Sequence, residues 1–221
     1  VAAGLTLIFG VLGVINFAHG SLYMLGAYVA LTAYRLSGNF LLSALASGIA
    51  IAVFSLVFER LFMRRVYNAD VLMQLLVCYA FILILDDAVK IIWGPEFQSM
   101  GMPEEFQVPP MFIGGGVVPV FYVFLICAAS VIAAILWWSL TRTRMGKIVR
   151  AAAHNPTMTS VLGLNTNLIY AAVFAVGGGL AGLAGALAAP VRSMSPGMGF
   201  SILIESFIVT VIGGMGSVSG A

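Results

Sequence analysis

The sequence predicts an all-α, polytopic transmembrane helical bundle with at least one broken or re-entrant helix. Composition, the length of the apolar runs and a polar patch inside one of those runs lead to this fold class. Hydrophobic residues make up 62% of the 221 residues and charged residues only 8%, with a mean hydropathy of +1.10. A soluble domain carries about 25% charged residues. The composition therefore excludes a soluble globular protein and indicates an integral membrane protein.

Apolar runs that are long enough to cross a bilayer follow one another along the chain. A hydrocarbon core about 30 Å thick needs about 20 helical residues. The candidate spans are 1–15, 18–35, 39–58, 71–92, 118–140, 167–189 and 200–214. The first run has neither an initiator methionine nor the basic flank of a signal peptide, and the last leads into GGMGSVSGA. We expect residues 1–221 to form a single transmembrane domain that is a fragment of a longer chain.

Basic residues predict the orientation, because lysine and arginine in short loops are retained on the cytoplasmic side. They cluster after the third and fifth runs, at Arg60, Arg64, Arg65, Arg142, Arg144, Lys147 and Arg150. Segment 93–117 carries glutamates and no basic residue, so it belongs outside. The loop VRSMSPGMG after Pro190 is expected outside as well, by alternation.

The basic loop 142–165 is unusually long for a connection between spans. Up to Ala153 its only helix breaker is Gly146, so we expect the fifth span to continue into the cytoplasm as a basic, alanine-rich helix. Asn155 and Pro156 then predict a new helix of about two turns, because Asn is a preferred N-cap and Pro suits the first helical position.

The predicted short helix ends at Gly163 and has one apolar face. Met158, Val161 and Leu162 follow one another at i, i+3 and i+4, which places them on the same side. A helix of this length is not stable alone. The apolar face must therefore pack on the rest of the chain or on a cytoplasmic partner.

A polar patch interrupts the apolar stretch VINFAHGSLYMLGAY with Asn16, His19, Gly20 and Ser21. Polar groups at membrane depth are costly unless they are satisfied, and non-helical backbone there needs protein or water around it. The patch predicts the broken helix. Its side chains either line a pathway in which the ends of the broken helix hold a small polar molecule, or bond to neighbouring backbone and fix helix packing.

Few other charges fall inside the apolar runs. Helical spacing predicts an ion pair between Asp86 and Lys90. Glu205 has no lysine or arginine in its own span, so it faces either a pathway or the solvated outer surface. The glycines at 177–179, 182 and 185 include small-residue pairs at helical spacing, which indicates close helix packing.

Four stretches carry a resemblance to a known family. They are GLTLIFGVLGVINFAHGSLYMLGAY (4–28), RMGKIVRAAAHNPTMTSVLGLNT (144–166), GGGLAGLAGALAAP (177–190) and VIGGMGSVSGA (211–221). Together they resemble the inner-membrane permeases of branched-chain amino acid ABC importers, of the subunit type with the INFAHG signature. Urea and short-chain amide permeases carry similar motifs, so they remain an alternative.

The resemblance implies an ABC importer permease fold in the bacterial inner membrane, without a cofactor or a nucleic-acid partner. It also implies a second homologous permease subunit, two cytoplasmic ATPase subunits, a periplasmic amino-acid-binding protein and contact with membrane lipid. Loop 142–165 would be the ATPase-coupling segment, with its contacts among Arg144, Gly146, Arg150, Ala153, Asn155, Pro156, Met158, Val161, Leu162 and Gly163. The translocation pathway would include Asn16, His19, Gly20, Ser21 and Glu205.

Two other functional classes make different demands on the sequence. A gradient-driven transporter or channel would use broken helices too, but it would rely on embedded acids and need no docking helix. A membrane enzyme would need a convergent nucleophile, base or metal site, and the sequence shows no HExxH or GxSxG motif. We predict no catalytic residues and no metal site. Without a GKS or GKT phosphate loop, ATP hydrolysis falls to partner subunits.

Overall fold

A computed structural model describes residues 1–113 and 116–214 and confirms the all-α class. The α-helices are α1 (Ala2–Leu12), α2 (His19–Ser37), α3 (Phe40–Phe58), α4 (Arg64–Val66), α5 (Val71–Trp93), α6 (Val120–Arg142), α7 (Arg144–His154), α8 (Pro156–Val161), α9 (Thr166–Ala188) and α10 (Met198–Ile212). A π-helical turn, Glu59–Met63, joins α3 to α4, and a 3₁₀ turn covers Glu104–Phe106. Strands β1 (Met111–Ile113) and β2 (Gly116–Val118) form a small antiparallel hairpin that the sequence analysis does not predict.

Each predicted apolar run corresponds to a helix, with ends shifted by a few residues. Within residues 1–113 and 116–214, three helical stretches are long and apolar enough to cross a membrane, namely Phe40–Val66, Val120–Arg142 and Thr166–Ala188. Helices α1 and α10 are apolar but shorter. Helix α10 ends at Ile212, and the rest of GGMGSVSGA after Gly214 lies outside the described residues.

Helix α9 lies at the centre of the bundle and packs against α1, α2 and α3 through its glycines. A Cβ atom added to Gly26 of α2 would lie 2.5 Å from the Cα atom of Gly182, and one added to Gly185 would lie 2.1 Å from the carbonyl oxygen of Tyr23. Side chains would separate these backbones. The glycine pattern is therefore a packing signal, as the sequence predicts.

The two ends of the bundle match the predicted orientation. At one end the backbone N–H of Phe40 donates to the Glu105 carboxylate at 3.1 Å, which joins α3 to the acidic segment. At the other end Arg60 and Arg64 line a pocket together with Asn165 at the start of α9. The two basic loops thus lie at the same end, and the acidic segment lies at the opposite one.

The connection between α9 and α10 does not remain at one end of the bundle. A Cβ atom added to Gly20 would lie 1.9 Å from the carbonyl oxygen of Gly199, so α10 begins beside the start of α2. The outer end of α2, at Ser37, is about 25 Å away along the helix axis. Residues 189–197 therefore descend from the end of α9 towards the start of α2, and Met194 exchanges backbone hydrogen bonds with Gln98 of the acidic segment on the way. The outer position of this loop stays a prediction, because the loop meets the acidic segment at Met194 and reaches the start of α2 only at Gly199.

Candidate functional site

The basic loop begins with a helix break at Thr143. Helix α6 ends at Arg142, and Thr143 takes an extended conformation with φ −91° and ψ 160°. The Thr143 hydroxyl accepts a hydrogen bond from the backbone N–H of Gly146 at 3.0 Å and so caps α7. The expectation that the fifth span continues unbroken into the cytoplasm is wrong, because this cap starts a separate helix.

Helix α7 folds back on the bundle because Gly146 has no side chain. A Cβ atom at Gly146 would lie 2.2 Å from the carbonyl oxygen of Leu140, and Arg150 donates to that same carbonyl. Val149 packs with a hydrophobic cluster that includes Leu7 of α1 and Val173 of α9. Helix α7 is thereby fixed to α1, α6 and α9 at once.

Helix α8 has the ends that the sequence predicts. The Asn155 side chain accepts a hydrogen bond from the backbone N–H of Met158 at 2.9 Å, and Pro156 occupies the first helical position. Gly163 has a φ of 82°, in the left-handed region, and its N–H donates to the Ser160 carbonyl at 3.0 Å. These local bonds fix the bounds of α8, Pro156–Val161.

One side of α8 packs on the chain and the other is open. Thr159 is 2% exposed, whereas Met158, Val161 and Leu162 are 59%, 75% and 74% exposed. Among the described residues, nothing covers this apolar face. The other predicted coupling residues are exposed at Arg144, Arg150, Asn155, Pro156 and Gly163, half-buried at Ala153 and buried at Gly146.

The polar patch coincides with a helix break, as predicted. Helix α1 ends at Leu12, and α2 begins at His19 after a non-helical stretch. The Asn16 carboxamide oxygen accepts from the Ala18 N–H at 3.1 Å and lies 3.8 Å from the Cys78 sulfur. His19 Nε2 lies 3.3 Å from the Val1 carbonyl oxygen. These contacts support the packing alternative for part of the patch.

Other atoms of the patch have no bonding partner. Asn16 Nδ2, His19 Nδ1 and Ser21 Oγ are buried without a hydrogen-bond partner among the described residues. Gly20 presses against Gly199 of α10. The patch thus joins α2 to α10 and keeps unused hydrogen-bonding capacity, so it leaves both alternatives open.

The remaining charges inside the bundle form other pairs than the sequence predicts. Lys90 pairs with Asp87 at 2.9 Å, so the predicted Asp86–Lys90 pair is wrong. One oxygen of Asp86 is buried without a hydrogen-bond partner among the described residues. Glu205 is not alone either, because Arg192 from the descending connection lies 3.4 Å from its carboxylate.

Comparison with known families decides the identity of this arrangement. A family described as "Branched-chain amino acid transport system / permease component" matches residues 1–221. The chain belongs to this family. The permease is thus a multi-pass membrane protein, in agreement with its apolar helices.

Relatives of the permease extend across bacteria and archaea. It is 30% identical to the high-affinity branched-chain amino acid transport system permease protein BraD of Pseudomonas aeruginosa, over 100% of this chain and 76% of BraD. It is 31% identical to LivH of Escherichia coli, over 100% of this chain and 76% of LivH. A probable LivH of Methanocaldococcus jannaschii is 27% identical, over 100% of this chain and 71% of the relative. No solved structure matches the permease.

The roles of two residues at the permease site, Thr143 and Arg192, are not predicted from the sequence. Threonine often caps helices, and Thr143 stands directly before a basic stretch that contains a glycine, so the sequence does carry a signal for the cap. The helix propensity of the residues that follow predicts an unbroken helix instead. Arg192 is visible as a charge, but its contact with Glu205 depends on the descent of the α9–α10 connection.

Proposed function

We propose that the permease is the membrane subunit of an ABC importer that moves branched-chain amino acids across the bacterial inner membrane. Two cytoplasmic ATPase subunits, a second homologous permease subunit and a periplasmic amino-acid-binding protein complete the importer. The relatives BraD and LivH are permeases of high-affinity branched-chain amino acid transport systems, which supports this substrate class over urea and short-chain amides. The sequence has no phosphate-binding loop, which supports ATP hydrolysis by the partner subunits.

Helices α7 and α8 form the ATPase-coupling segment of the permease. Nucleotide-driven movement must reach the transmembrane helices through a rigid element that contacts both. Helix α7 is fixed to α1, α6 and α9, and α8 follows it directly with both ends capped. A push on α8 would therefore be transmitted to several transmembrane helices together.

The open apolar face of α8 is the observation that carries this proposal. Met158, Val161 and Leu162 project from an element that is too short to be stable by itself, and their exposure costs hydrophobic free energy in water. Burial of one such side chain contributes about 1.5–3 kcal/mol. A groove on an ATPase would supply that burial, whereas a gradient-driven transporter would have no use for this face.

A charge placed on this face tests the coupling proposal. We expect Val161→Glu or Leu162→Glu to weaken co-purification of the ATPase subunits by about tenfold or more, because a buried apolar contact is replaced by a carboxylate. Ser160→Glu is the matched control, since Ser160 is exposed on the opposite side of the same helix. The amount of permease in the membrane is measured in parallel.

The control fixes how the results are interpreted. Loss of the ATPase subunits with Val161→Glu and retention with Ser160→Glu supports docking through the apolar face. Unchanged co-purification in all variants contradicts it. Equal loss in all three variants would mean that charge anywhere on α8 disturbs the segment, which also contradicts a face-specific contact.

The translocation pathway runs past the break between α1 and α2 and along α10. Gly20 lies where α10 begins, Asn16, His19 and Ser21 flank Gly20 in the chain, and Glu205 lies further along α10. The Arg192 and Glu205 side chains are 53% and 59% exposed in this chain. Charges at membrane depth require water or protein around them rather than lipid, which supports a hydrated pathway along this side of α10.

A further inference from the structure

A polar pocket lies where the end of α3 and α4 meet the start of α9. It is lined by Arg60, Arg64, Asn165, Asn167, Leu168 and Ala171. Its position at the end of the bundle that carries the basic loops places it at the predicted cytoplasmic surface. The pocket is separate from the open face of α8 and from the polar patch.

The two arginines of the pocket lack an anionic partner. Within residues 1–113 and 116–214, no carboxylate oxygen lies within 4.0 Å of either guanidinium group. The adjacent Glu59 is buried and accepts a hydrogen bond from the Tyr67 hydroxyl at 3.0 Å. Burial and the nearby Glu59 raise the pKa of Tyr67, so this hydroxyl stays protonated and keeps donating. Glu59 lies near both arginines, but its hydrogen bond is to Tyr67 and it forms no ion pair with either guanidinium group among the described residues.

The chemistry of the lining residues suits a phosphate group. Guanidinium groups donate paired hydrogen bonds to phosphate oxygens. The backbone N–H groups at the start of α9 add a partial positive charge on the same side of the pocket. Asn165 already uses its side-chain oxygen to cap α9, by accepting from the Leu168 N–H at 3.2 Å.

The surroundings of the pocket indicate that the phosphate belongs to a lipid. Leu61 and Phe62 on the π-helical turn beside Arg60 are 48% and 45% exposed, which is apolar surface at the end of a membrane-spanning stretch. Charged side chains next to such a surface lie at the height of the lipid headgroups. Basic pockets between helices on the cytoplasmic side suit anionic headgroups.

We propose that this pocket binds the phosphate of an anionic phospholipid. The bound headgroup would join the end of α3 and α4 to the start of α9. Since α9 follows directly after α8, the lipid would brace the exit from loop 142–165 against the bundle. The proposal rests on the pocket and its charges, so it can hold whether or not α8 docks an ATPase.

The experiment measures lipid retained by purified permease in native mass spectrometry, with phosphatidylglycerol or phosphatidylcholine as the added lipid. We expect wild-type permease to retain phosphatidylglycerol over phosphatidylcholine by about tenfold or more. The double variant Arg60→Gln with Arg64→Gln should lose that preference. Arg65→Gln is the matched control, because Arg65 is exposed in the same basic cluster but does not line the pocket.

Each other outcome overturns the proposal. Equal retention of the two lipids, or an unchanged preference in the double variant, contradicts an anionic headgroup in the pocket. Equal loss in Arg65→Gln would mean general attraction to basic charge. Displacement of phosphatidylglycerol by inorganic phosphate at matched concentration would identify a free-phosphate site. If the double variant keeps its lipid but loses co-purified ATPase, the occupant is an acidic side chain of the partner.

A folding check accompanies the double variant. Size-exclusion profiles are compared first, and if the double variant aggregates, Arg60→Lys with Arg64→Lys takes its place. Lysine keeps the charge but cannot form the paired hydrogen bonds of a guanidinium group. We then expect a lipid preference about threefold lower than in the wild type, and an undiminished preference would contradict paired recognition of the phosphate.

Discussion

The glycine-rich centre of the bundle and the α6–α8 arm leave very different amounts of surface open. In the apolar window of α9, 56% of the residues are buried within this chain, whereas only 11% are buried in that of α6. Helix α9 finds its neighbours in α1, α2 and α3, while α6 and α8 expose most of their apolar side chains. The apolar side chains of the centre are covered by other helices of this chain. Those of the arm are left open for contacts with lipid or other subunits.

Different interactions hold the two regions. In the centre, backbones approach each other directly at pairs such as Gly26 and Gly182, so any added atom forces helices apart. In the arm, single side chains fix the turns, with Thr143 capping α7 and Asn155 capping α8. A change in the centre should therefore affect the whole fold, and a change in the arm should remain local.

We expect the largest effect on stability from one methyl group added between α2 and α9 in the centre of the bundle. We expect Gly26→Ala to lower the free energy of unfolding by about 1–3 kcal/mol, because its Cβ atom would lie 2.5 Å from the Gly182 backbone. Chemical unfolding in detergent measures the change. Gly10→Ala is the control, since Gly10 is an exposed residue in the interior of α1 and alanine favours the helix there. Equal destabilisation by both changes would contradict the packing explanation.

A smaller effect should show whether the Arg192–Glu205 pair lines the translocation pathway or only holds the fold in place. We expect Glu205→Gln to reduce amino-acid uptake by the assembled importer on the order of tenfold, since Arg192 loses its partner at membrane depth. If the pair only holds the descending connection in place, the charge swap Arg192→Glu with Glu205→Arg should restore uptake, because the ion pair can form again. If each charge lines the pathway, the swapped variant should remain impaired, and full restoration would contradict that role.

Local sequence signals predicted the local structure well. The bounds of α8 follow from Asn155, Pro156 and Gly163, because each acts on its immediate neighbours in the chain. The glycines of α9 indicated close packing because only small residues permit it. The break before α2 followed from polar residues that an uninterrupted apolar helix would not contain.

The errors arose where tertiary contacts decide. Which of Asp86 and Asp87 meets Lys90 depends on the rotation of α5 against its neighbours, and spacing alone permits both. The sequence also does not predict the descent of residues 189–197, because it depends on the contact between Gly20 and Gly199, which lie far apart in the sequence. Thr143 caps α7, but the alanines that follow have a high helix propensity and therefore predict a continuous helix.

The smallest predicted effect tests whether the arm responds locally. Asn155→Ala removes the acceptor for the Met158 N–H, which should cost α8 about 1 kcal/mol. We expect faster amide hydrogen exchange across residues 156–164 while the unfolding of the bundle is unchanged, because the exposed side of α8 makes no contact with the centre. Asn39→Ala removes the equivalent cap of α3, a 2.9 Å bond from the Leu42 N–H, and should leave exchange at α8 as it was. A global loss of stability from Asn155→Ala would mean that α8 is a structural part of the centre. That result would contradict the expectation that a change in the arm remains local.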